Sequence, residues 1–160
     1  MNDLMNKVSS YNLFNYLLPG AIFAVFIEKT TTYKILQSDM LINAFMIYFI
    51  GLIISRVGSL LIEPILKKIV KFAKYEDFIT ASKEDEKIYI LSESNNMYRT
   101  FIALFSILII FKLYDNYCSI CKEYNIYIFP LLLLILFIFS YMKQTKYITK
   151  RVNACVKKEK

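Results

Sequence analysis

The chain contains no histidine and no tryptophan, and only three residues each of glycine, proline and cysteine among 160. The absence of histidine removes the commonest general base, the usual pH sensor and the commonest metal ligand together. So few prolines and glycines exclude a linker-rich or disordered chain. Three cysteines without histidine leave a zinc site short of ligands. There is no glycine-rich phosphate loop, no Ser/His or Cys/His pair and no pair of intramembrane aspartates, so no catalytic set is expected. Glu84, Asp85 and Glu86 are consecutive and face different directions, which reads as a solvated run and not a metal site. Neither an enzyme activity nor a cofactor is expected.

Apolar sequence, by contrast, is abundant. Hydrophobic residues make up 57% of the chain, above the ~45–50% usual for soluble domains. They gather in four segments: Tyr11 to Ile27, Leu41 to Leu66, Phe101 to Tyr114 and Ile126 to Met142. A helix needs roughly 20 apolar residues to cross a ~30 Å hydrocarbon core. The chain is therefore expected to be all-α, a single integral membrane bundle of about four transmembrane helices. The expected spans are 11–27, 41–66, 99–117 and 126–142. A cytoplasmic helical segment over 67–98 joins the second and third, and a basic tail covers 143–160. Many of the apolar residues are Ile and many of the polar ones Lys and Asn, a pattern of codon bias that makes those residue types poor functional markers.

The first span carries Asn12 and Asn15 in its opening turns, and Pro19-Gly20 interrupts it. Proline removes a backbone donor and kinks a helix, so either a kinked span or an amphipathic helix that bends at Pro19 and then inserts is expected. No cleavable signal peptide is expected: only Lys7 would form its basic region, and no small-residue cleavage site follows. The second segment is longer than the bilayer is thick, so it tilts or leaves the membrane near Lys67 and Lys68. Phe72, Tyr75, Phe78 and Ile79 recur at helical spacing beyond it. Ser94 or Asn95 is expected to cap the third membrane helix.

The net charge of +7 is concentrated in the tail, at Lys143, Lys146, Lys150, Arg151, Lys157, Lys158 and Lys160. A basic stretch directly after a membrane helix reads as a topology signal and a site of attraction to anionic lipid, and no specific nucleic acid is expected. With both termini cytoplasmic, the inside would carry fifteen Lys/Arg and the outside four. The positive-inside rule then predicts a multi-pass protein with both termini cytoplasmic.

Arg56 and Glu63 are the most informative polar residues, because both lie inside the second apolar segment. Ionisable groups at membrane depth are rare and usually face a bundle interior, a cavity or a partner. Seven residues apart, they share a face but are too distant to pair, so each needs another partner. The plainer reading is that Arg56 snorkels and Glu63 is interfacial. Gly51, Ser55 and Ser59 recur at four-residue spacing with Gly58 alongside, a helix-packing face that serves either within one subunit or between copies in a homo-oligomer. Cys118 and Cys121 form a CxxC in the predicted outer turn. A disulfide there and incidental cysteines near an interface are both open readings, and Cys155 lies in the tail.

The stretches Phe14-Asn-Tyr-Leu-Leu-Pro-Gly20, Arg56-Val-Gly-Ser-Leu-Leu-Ile-Glu-Pro64 and Leu91-Ser-Glu-Ser-Asn-Asn-Met-Tyr-Arg99 resemble those of small, mostly uncharacterised bacterial membrane proteins of accessory and anti-phage defence loci. The resemblance spans most of the chain and carries no catalytic residue. It implies a membrane protein working beside a cytoplasmic protein partner. The expected function is an oligomeric, pore-forming effector that perturbs the inner membrane when that partner signals. A non-conducting anchor, a holin-like protein and a small transporter subunit are the alternatives.

Overall fold

The computed structural model describes residues 13–117 and 125–156. Among these residues all regular structure is helical, in five helices: α1 (Leu13–Thr30), α2 (Met40–Ile69), α3 (Tyr75–Glu84), α4 (Glu86–Tyr117) and α5 (Asn125–Val156). α1, α2, α4 and the Tyr127–Asn153 portion of α5 are each long and apolar enough to cross a membrane. The chain is a multi-pass helical membrane protein.

Two prolines shape the first pair of helices. A proline in a helix leaves a carbonyl one turn earlier without its donor. In each case a π turn directly precedes it: Leu13–Leu17 before Pro19, and Gly58–Ile62 before Pro64. Local π adjustment is one way a membrane helix accommodates such a residue. α1 is therefore helical from Leu13 onward, and Pro19 is fully buried against its neighbours. α2 begins at Asp39, whose carboxylate accepts from the backbone N–H groups of Leu41 and Ile42 at 2.7 and 3.1 Å, the usual N-cap arrangement.

α1 and α2 cross at very close range. A Cβ on Gly20 would lie 1.9 Å from the Ile47 carbonyl oxygen, and one on Gly51 would lie 1.7 Å from that of Tyr16. Only glycine fits at either point. Phe23 and Ile27 of α1, Ile54 of α2, and Ala103 and Leu104 of α4 form the core. α5 flanks this three-helix unit, and only 6% of its apolar window is buried.

The connection between α1 and α2 is better ordered than a simple polar loop. Glu28 accepts from the backbone N–H groups of Ile35 and Leu36 at 3.2 and 2.6 Å, and Tyr33 and Ile35 pack on the core. Lys112 of α4 donates to the Thr30 carbonyl at 2.5 Å, joining α4 to α1 at this end of the bundle.

Three boundaries differ from those read in the sequence. α4 does not start near residue 99 with a Ser94 or Asn95 cap. It runs unbroken for 32 residues from Glu86, and Ser94 donates back to the Ile90 carbonyl at 3.1 Å as a mid-helix serine does. Within the segment expected to be helical over 67–98, α3 is a separate ten-residue helix. α5 continues through the expected tail to Val156, so residues 143–156 are helical. Cys118 and Cys121 lie outside the described residues, as do Lys157, Lys158 and Lys160.

Candidate functional site: a buried carboxylate and its cleft

Glu63 follows the second π turn, where α2 nears the basic end of the bundle, and only 7% of it is exposed. A carboxylate this deep needs compensation. Glu63 receives it from three cations. Its Oε1 accepts from Lys67 Nζ at 2.6 Å, one turn along α2. Its Oε2 accepts from Arg99 Nη1 of α4 at 2.8 Å and from Lys143 Nζ of α5 at 2.9 Å. The Tyr147 hydroxyl also donates to Oε1, at 3.3 Å. One negative charge thus faces three positive ones and joins three helices.

Ser59 extends the cluster. Lys143 Nζ donates to its carbonyl and, at 2.9 Å, to its hydroxyl. One turn deeper, Asn15 of α1 is buried and donates to Ser55 Oγ at 3.3 Å. Thr100 Oγ1 of α4, also buried, reaches Asn15 Oδ1 at 3.1 Å and its own helix's Asn96 carbonyl at 2.9 Å. A polar seam therefore runs inward from Glu63 through Ser59 and Ser55 to Asn15 and Thr100.

Beside the seam is an open cleft of about 1230 Å³ between the helices, and both Arg56 and Glu63 line it. They share this surface without pairing. Among the described residues, no hydrogen bond or ion pair engages Arg56. α3 bounds the cleft where the Tyr75 ring meets that of Tyr147 at 6.1 Å and Lys150 sits over Tyr75 at 6.0 Å.

The small-residue face of α2 is occupied within the chain. Gly51 meets the Tyr16 backbone of α1, and Ser55 meets Asn15. Gly58 faces Arg99 and Ala103 of α4, and Ser59 holds Lys143 of α5. α2 is thus the spine of one subunit, and its small face is not free to seat a second copy. Of the two readings the sequence leaves open for that face, packing within one subunit is the one these contacts form.

Sequence reading singled out Glu63 and Arg56 but not Arg99, Lys143, Tyr147 or Thr100. Asn15 was visible as a polar residue in an apolar span. Lys143 was counted with the tail because it follows the last apolar run. Among the described residues no three His, Cys, Asp or Glu come together as metal ligands do. Both oxygens of Glu63 are taken by N–H and O–H donors, so the chemistry available here is charge pairing. Comparison with known protein families, curated proteins and solved structures finds no match for this chain.

Proposed function

We propose that this chain is a triggered membrane-perturbing protein of a bacterial inner membrane, held in its closed state by Glu63. The observation that supports this reading is the single buried carboxylate that accepts cations from α2, α4 and α5. Removing that charge would leave Arg99 and Lys143 uncompensated. A cation near the bilayer centre costs roughly 2.5–3.5 kcal/mol on insertion scales, less toward the interface. The accessible way to relieve the cost is hydration. α5 has little buried surface to hold it, so it is the helix free to move. Water would then follow the seam of Ser59, Ser55, Asn15 and Thr100 into the bundle. A cytoplasmic partner pressing on α3, or on the helical extension of α5 that touches it through Tyr147, would supply the trigger. Copies would associate through α5, which offers lipid a nearly continuous apolar surface.

The test is membrane potential in producing cells, read with a potential-sensitive dye. Glu63→Gln should depolarise cells at expression levels where the wild type does not, and Lys143→Ala should do so more weakly. Protein in the membrane fraction is measured alongside. If both variants insert at wild-type levels and no form depolarises cells, even at high expression, the effector reading fails. A non-conducting anchor for a cytoplasmic partner then takes its place.

A further inference from the structure

The cleft carries more positive charge than its lining neutralises. Arg56, Lys67, Arg99 and Lys150 line it, with Glu63 as the counter-charge. That carboxylate is already shared among Lys67, Arg99 and Lys143. Among the described residues, the buried Nε of Arg99 has no acceptor and Arg56 is engaged by none. Arg56 also lies 11 residues before Lys67, about 16 Å deeper along α2. A guanidinium at that depth calls for an anionic acceptor, and phosphate oxygens match its planar fork better than any neutral group does. Apolar side chains line the same cleft, among them Val70, Phe72, Phe78, Ile88, Leu91 and Ile102. A lining with both guanidinium groups and apolar side chains suits a molecule with both characters.

We propose that this cleft binds one anionic phospholipid, its phosphate held by Arg56 and Arg99. The site is built into the folded bundle and stands whether or not Glu63 releases its cations. It also differs from diffuse attraction of lipid to surface lysines, because it has one occupant and depends on particular guanidinium groups.

Native mass spectrometry of the detergent-purified full chain tests it. With equal amounts of phosphatidylglycerol and phosphatidylcholine, a single phosphatidylglycerol adduct should be retained preferentially. Arg56→Ala should lower its retention about ten-fold, the loss of one charge-assisted contact, while Arg56→Lys keeps part of it. Lys29→Ala, at the other end of the bundle, should have no effect. If Arg56→Ala does not elute as folded protein, Lys150→Gln takes its place and should weaken retention in the same direction. Equal retention of the two lipids, or retention unchanged in a folded Arg56→Ala or Lys150→Gln protein, overturns the site. Displacement of the lipid by millimolar inorganic phosphate also overturns it, because the cleft would then read the phosphate alone.

Discussion

Glu63 has three cationic partners, and they are not equivalent. The Lys67 side chain is 45% exposed, so its pair with Glu63 is screened and contributes within the ~0–1 kcal/mol of a surface ion pair. Those of Arg99 and Lys143 are 17% and 23% exposed, and each ties a different helix to α2. Removing one partner of a buried pair costs about 3–5 kcal/mol, because the other is left uncompensated. In thermal unfolding of the detergent-solubilised protein, Glu63→Gln should therefore destabilise most, Arg99→Ala and Lys143→Ala less, and Lys67→Ala least. A Lys67→Ala protein as weakened as Glu63→Gln would contradict the arrangement. At the inner end of the seam, Thr100→Val should cost about 0.6–1.7 kcal/mol, the range of one interhelical hydrogen bond in a membrane. Glu63 was legible in the sequence because a carboxylate in an apolar run is conspicuous. Its partners were not, because Arg99 is 36 residues away and Lys143 is 80. Nothing local tells Lys143, at the end of an apolar run, from the lysines that follow it.

Between elements, α1 and α2 approach closely enough to exclude a Cβ at two glycines, and this makes a prediction that separates the two readings of the small-residue face. An added methyl at Gly51 or Gly20 would overlap a backbone carbonyl, which has no rotamer to escape into. At Gly58 the nearest atom is the Arg99 carbonyl oxygen at 3.2 Å, a much milder contact. Gly51→Ala and Gly20→Ala should each destabilise the monomeric fold by more than the ~1–3 kcal/mol of ordinary overpacking, and Gly58→Ala by less. Thermal unfolding with chromatographic readout ranks them, and a change of oligomer size with the melting point intact would restore the intersubunit reading. The four spans themselves were legible, because length and hydropathy suffice to find a membrane helix. The course of α4 was not. Ser92-Glu-Ser-Asn-Asn96 has the composition of a cap, yet Thr100 and Arg99 must reach Asn15 and Glu63, and packing against α1 and α2 carries the helix through. α5 likewise outruns its apolar residues, because Tyr147 and Lys150 dock on Tyr75.

At the scale of the whole molecule, the two ends of the bundle differ in charge. Lys67, Arg99, Lys143 and Lys150 cluster where α2, α3, α4 and α5 meet, and both the cleft and Glu63 are at that end. The other end, where Lys112 reaches Thr30, carries Lys29 and Lys34 besides. From the positive-inside rule we predict that the richer end faces the cytoplasm. The same orientation would open the cleft toward the leaflet whose surface potential is more negative, and would put α3 within reach of a cytoplasmic partner. Single cysteines introduced into a cysteine-free background decide it. Lys34→Cys and Lys83→Cys lie at opposite ends and both positions are exposed. In intact cells with the outer layers made accessible, a membrane-impermeant maleimide should label the cysteine at position 34 and should reach position 83 only after the inner membrane is permeabilised. The inverse pattern would invert the bundle. α3 and the cleft would then face outward, no cytoplasmic trigger could press on them, and a lipid held at Arg56 would have to come from the outer leaflet.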